Sequence, residues 1–123
     1  MVVVPMTYDY IYRYGKRPTV EYHTSSSSIP LHHSNTRLTK TELAIVARMA
    51  HDGLARAIRP AHTPSDGDTI FAIATGELAD DVSLLQIGAL AADATADAIL
   101  RGVRAATGLP GFPSAGDLQG GAP

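Results

Sequence analysis

Asp66 and Asp68, separated only by Gly67, are the residues whose types and spacing could do chemistry. On an extended backbone, positions i and i+2 point to one side, with Cα atoms about 7 Å apart. Two carboxylates buried together disfavour double ionisation, so one tends to hold a proton. Such a pair can orient a hydroxyl and move protons. The same spacing also suits a plain Asp-Gly turn ahead of a strand, with Asp66 bonded to its own backbone. A calcium loop does not fit, because the required run of spaced acids and the terminal Glu are absent. His51 and His62 flank the region and read as a helix-surface and a loop histidine rather than ligands. His23, His32 and His33 match no structural zinc spacing and read as solvated loop histidines. Without any Cys, thiolate metal sites, thiol nucleophiles and disulfides are impossible. No metal or cofactor is expected.

The elements that must position the acids lie on either side of them. Thr39-Lys40-Thr41-Glu42 has the pattern of a capping box. Leu43, Val46, Ala47, Ala50, Leu54 and Ala57 then recur at helical spacing. Pro60 cannot continue a helix, so this one is expected to end near Ile58 or Arg59. Gly53 within it costs about 1 kcal/mol relative to Ala, which close approach to a neighbouring sheet would excuse. Ala61 to Gly67 reads as turn. Thr69 to Thr75 is apolar on both faces, the pattern of a central strand covered on both sides.

Beyond Gly76, Asp80 or Asp81 is expected to cap a helix from about Val82 to Ala106. Its circumference has two apolar sides. Leu84, Ile87, Leu90, Ala91, Ala94 and Ala98 form one, and Val82, Leu85, Ala89, Ala92, Ala96, Ile99 and Val103 the other. A chain of this size cannot cover both, which implies a missing partner. Residues 108–123 are rich in Gly and Pro and read as a disordered tail.

The N-terminal third has a different character. Tyr8, Tyr10, Tyr12 and Tyr14 alternate with strand period, the mark of a surface or edge strand with one aromatic side, a nucleic-acid stacking platform being the alternative. Residues 23–37 show no periodicity and read as loop. Residues 1–40 carry five basic and two acidic residues, whereas 41–123 carry five basic and ten acidic. A net charge of −2 gives no electrostatic case for nucleic acid. No stretch is long and apolar enough to span a membrane, and MVVVPM lacks the features of a signal peptide. The expectation is a cytoplasmic protein without membrane or nucleic-acid partners.

Ala50-His51-Asp52-Gly53-Leu54-Ala55-Arg56-Ala57-Ile58, Pro60-Ala61-His62-Thr63-Pro64, Asp66-Gly67-Asp68-Thr69-Ile70-Phe71-Ala72 and Ala74-Thr75-Gly76 together resemble the L-aminopeptidase/D-esterase (DmpA-type) family. That family includes β-peptidyl aminopeptidases and nylon-oligomer hydrolases. The resemblance runs from near Asn35 to about Thr107 and leaves 1–34 as a non-matching segment, irregular or an edge strand. It implies an α/β fold: the helix–strand–helix part of an αββα sandwich of the N-terminal-nucleophile-hydrolase type, here an incomplete domain matching the small C-terminal subunit. It also implies self-cleavage before a Ser or Thr, whose freed hydroxyl and α-amine then hydrolyse a peptide or amide. Carried over, Asp66 and Asp68 would position and polarise that hydroxyl. Similar proteins place the nucleophile in an Asn-Thr-Thr segment opening a Val-rich strand. Here Ser25-Ser26-Ser27-Ser28-Ile29-Pro30-Leu31-His32-His33 fills that place, and counting back puts the slot near Ser27. The large subunit of the family is absent. The chain is therefore expected to be inactive alone and to need that large-subunit portion or further copies of itself. The alternative is a non-catalytic helix–strand–helix module that binds a partner through its second helix.

Overall fold

The computed structural model describes residues 20–24, 30–65, 67–78 and 82–119. The expected tyrosine strand, Ser27, Asp66 and the proposed caps Asp80 and Asp81 lie outside the described residues.

Strand β1 (Val20–Thr24) pairs antiparallel with β2 (Pro30–Ser34). Helix α1 (Lys40–Ala57) follows and returns the chain to β3 (Phe71–Ala74), which pairs parallel with β2. The sheet order is β1-β2-β3. Helix α2 (Leu84–Ala105) and the short α3 (Ala115–Gln119) follow among the described residues. The described part is thus mixed α/β, built on a β2–α1–β3 crossover with a hairpin strand on one edge.

Helix α1 forms where its sequence pattern places it. Thr39 is the N-cap: its hydroxyl accepts from the Glu42 amide, and the Glu42 carboxylate accepts from the Thr39 amide at 2.7 Å. Ile58 closes the helix, its amide bonded to the Leu54 carbonyl at 2.8 Å. Val46, Ala50 and Leu54 of α1 meet Ile87, Leu90 and Ala91 of α2, with Ile70 from the approach to β3. Gly53 is buried at the crossing. A Cβ there would overlap the Ala92 carbonyl oxygen and the Thr95 side chain. The close approach expected at Gly53 is real, but its partner is a helix, not a sheet.

Several expectations are corrected. The loop expected over 23–37 is a strand over Pro30–Ser34, because pairing to both neighbours satisfies a backbone whose side chains carry no strand signal. Nor is β3 a strand covered on both sides. It is the sheet edge, with Ala72 and Ala74 half-buried and Phe71 and Ile73 about half exposed (53% and 50%). Both helices lie on the face shared by His32 and Ala72, which are register partners, so nothing among the described residues covers the opposite face. Helix α2 starts at Leu84 with Ser83 as its N-cap, two residues later than expected. Its first apolar side is buried from Ile87 to Ala98, with Leu84 half-buried, whereas Leu85 and Val103 of the second remain exposed. Residues 109–119 are structured rather than disordered. Leu109 and Phe112 form a bridge around Gly111, which holds φ at +80°. Ser114 then caps α3, donating its amide and hydroxyl to the Asp117 carboxylate at 2.8 and 2.7 Å.

Candidate functional site

Because β2 and β3 are parallel, the chain enters both from one edge of the sheet. Leu31 is the register partner of Phe71. Gly67, Asp68 and Thr69 therefore lie on the entry side of β3, at the same end of the sheet as Pro30, where β2 begins. Asp68 is exposed and has no hydrogen-bond partner among the described residues. Its neighbour Thr69 donates its hydroxyl to the Gly67 carbonyl at 3.3 Å, which holds the turn locally. Of the three residues singled out for chemistry, Asp68 is described, and Asp66 and Ser27 lie outside the described residues.

At the opposite, exit edge the strand pairing continues as a loop ladder. Thr75, Gly76 and Leu78 donate their amides to Ser34, Thr36 and Asn35 at 2.9, 3.2 and 2.8 Å. An open recess of about 290 Å³ lies here, between Thr36–Thr39, Glu42 and Ala74–Gly76. The hydroxyls of Thr36 and Thr39 are already engaged. The Thr36 side chain is 2.9 Å from the Ser34 hydroxyl, and Thr39 and Glu42 are committed to the cap. Hydrogen bonding to the Thr39 amide, then to its hydroxyl, holds the Glu42 carboxyl below the usual range.

The interior holds a polar contact that pattern reading missed. His32 is not a solvated loop histidine: it is 2% exposed, on the helix-facing side of β2. Its Nε2 lies 2.9 Å from the Thr95 Oγ1 of α2. The Thr95 hydroxyl proton is given to the Ala91 carbonyl at 2.8 Å, so the imidazole is the donor, as the Nε2–H tautomer. Burial pushes its pKa down to about 4. The available signal was weak. His32, Ser34 and Thr36 fall at strand period, and all three are buried, yet none is apolar.

His51 and His62, read as independent surface residues, are in contact. The His51 Nδ1 is 3.3 Å from the His62 Nε2, with ring centroids 5.4 Å apart. His62 has a left-handed backbone, φ +55°. No group of three or more potential metal ligands occurs among the described residues. No helix among them is long and apolar enough to cross a membrane.

The model of peptidase family S58 matches residues 6–115, on both sides of Asn35. An uncharacterized aminopeptidase of Mycobacterium tuberculosis (strain ATCC 25618 / H37Rv) is 46% identical over 90 residues, covering 63% of this chain and 26% of that protein. An uncharacterized aminopeptidase of Mycobacterium leprae is 44% identical over 82 residues, 56% of this chain and 23% of that one. A 6-aminohexanoate-oligomer endohydrolase of Kocuria sp. is 32% identical over 82 residues, 58% and 23% of the two chains. The chain thus spans about a quarter of the length of these relatives. With nearly its whole length matched by the family model, the chain belongs to peptidase family S58, the DmpA-type aminopeptidases.

Proposed function

We propose that this chain is the small-subunit-like part of a self-processing aminopeptidase or amide hydrolase. In this reading Ser27, made N-terminal by cleavage of the preceding bond, attacks the carbonyl of a peptide or amide through its hydroxyl and expels the amine to leave an acyl-enzyme. The acyl-enzyme is then hydrolysed by water, with the freed α-amine as base. Asp66 and Asp68 orient and polarise the hydroxyl. The observation that carries this is the parallel β2–β3 pair. It puts Asp68, ahead of β3, at the same end of the sheet as Pro30, where β2 begins; Ser27 precedes Pro30 by three positions in the sequence. The open face bearing Phe71 and Ile73 is where the second sheet of an αββα sandwich would lie.

Alone, the chain is inert in this reading. The family's large subunit supplies the donors that stabilise the tetrahedral oxyanion, and such donors provide a large share of rate enhancement. The test is complementation. The tag-free chain is assayed with an amino-acid p-nitroanilide, by itself and mixed with the N-terminal portion of an S58 relative, while its mass is followed. Silence alone, turnover on mixing, a mass drop from cleavage before Ser27, and loss of both in Ser27→Ala support the reading.

A second reading is favoured by the open apolar face of β3 and the exposed Leu85 and Val103 of α2. In it the chain is a non-catalytic helix–strand–helix module that binds a partner. No turnover on mixing, with an intact chain that associates with itself, selects that reading.

A further inference from the structure

The His51–His62 contact belongs neither to the hydrolytic reading nor to the core. His51 sits in the fourth turn of α1, half-buried, and His62 is exposed in the connection to β3. Their facing nitrogens are 3.3 Å apart. Two imidazole nitrogens bound at about 2.0–2.1 Å to one tetrahedral cation stand about 3.3–3.4 Å apart. The spacing is therefore already that of a two-histidine metal chelate. It is also that of a long hydrogen bond, in which one ring must give its proton to the other.

We infer that His51 Nδ1 and His62 Nε2 form a binding site for a borderline transition-metal cation, Zn²⁺, Ni²⁺ or Cu²⁺. Imidazole suits these ions, and oxygen-preferring Ca²⁺ and Mg²⁺ are excluded by the donor set. Binding replaces the shared proton. That proton moves to the outer nitrogen of its own ring, and both facing lone pairs go to the metal, so no net proton is released from two neutral rings. Two protein ligands leave the remaining positions to water. The left-handed backbone at His62, φ +55°, is a conformation in which His and Asn are enriched over most residues, and it holds the ring at α1. A bound ion would tie the connection that carries Asp68 to the body of α1. The inference stands independently of any catalytic role for the chain.

The tag-free, chelator-treated full chain is titrated with ZnCl₂ by calorimetry and with NiCl₂ by NMR of the imidazole signals. One ion per chain is expected, with the His51 and His62 rings shifted by Zn²⁺ and broadened by Ni²⁺ ahead of the other three histidines. His51→Ala and His62→Asn should each weaken Zn²⁺ binding about tenfold or more. His62→Asn keeps a residue that tolerates the left-handed backbone, so it stays folded and informative if His51→Ala does not. His33→Ala should leave binding unchanged. Three results would overturn the inference: no binding at millimolar Zn²⁺, broadening that begins at another histidine, or affinity unchanged in His62→Asn.

Discussion

The His32 imidazole and the Thr95 hydroxyl meet at 2.9 Å across the interface between the middle strand and α2. Both side chains are buried, and Thr95 passes its own proton to Ala91, so the pair forms a directed chain from β2 into the helix backbone. Thr95→Val keeps the shape but leaves the His32 N–H without this acceptor. A buried donor left unsatisfied costs about 1–3 kcal/mol. The urea midpoint should fall accordingly, with the slope unchanged. A variant as stable as the parent would show that the contact contributes nothing.

The same histidine gives the fold an acid limit. Its pKa is about 4 in the folded chain, lowered by burial from 6.5. Between those values the unfolded chain binds a proton that the folded chain does not, so stability falls as pH falls. The contribution is fully present above 6.5, and about 3 kcal/mol of it is gone by pH 4. Glu42 and Asp117, both held below the usual carboxylate range by hydrogen bonds, act in the same direction but in the more acid window. Urea unfolding at steps from pH 7.5 to 4 measures the slope. His32→Asn should flatten it between pH 6.5 and 5, where carboxylates contribute little.

Gly53 and Gly88 separate two kinds of close packing. A Cβ on Gly53 runs into the Ala92 backbone and Thr95, neither of which can move without shifting α2. A Cβ on Gly88 meets the flexible end of Met49, which can rotate away. Both changes gain about 1 kcal/mol of helix propensity. Gly53→Ala should nonetheless be destabilising, by the roughly 1–3 kcal/mol of overpacking or more. Gly88→Ala should be neutral or stabilising. Thermal melts of the two variants read the difference directly, and equal melting points would contradict the crossing geometry.

What was legible in the sequence is what local interactions decide. The Thr39–Glu42 cap, the α1 stop before Pro60 and the buried side of α2 each follow from spacing within one element. Strand β2 was not legible, because Pro30–Ser34 becomes a strand through its partners on either side, one of them some forty positions away in register. His32 was hidden for the same reason: a polar type counts as buried only once Thr95 is known to face it. The coverage of β3 was misread because an apolar pattern on two faces records surfaces that need covering, not whether this chain covers them. By contrast, Ser114 and Asp117 were readable as a cap, and composition wrongly outweighed them. For the candidate site, the sequence placed Asp68 ahead of a strand, as the structure has it. That Asp68 lies at the end of the sheet where β2 begins needed the parallel pairing.

Asp68 supplies the prediction that separates fold from chemistry. It is exposed and makes no hydrogen bond among the described residues, so Asp68→Asn removes a charge without removing a contact. Surface changes of that kind shift stability by no more than about 0.5 kcal/mol. If Asp68 polarises the nucleophile, the same change should lower turnover of the complemented enzyme by about 10²–10⁴-fold, the range for a positioned acid–base group. The loss should fall on kcat rather than KM, because the carboxylate acts on the attacking hydroxyl and not on bound substrate. Asp52→Asn is the matched control: an exposed acid on α1, outside the turn, which should change neither stability nor rate. Turnover undiminished in Asp68→Asn would remove this carboxylate from the mechanism while leaving the fold, and the entry-edge placement of the turn, as described.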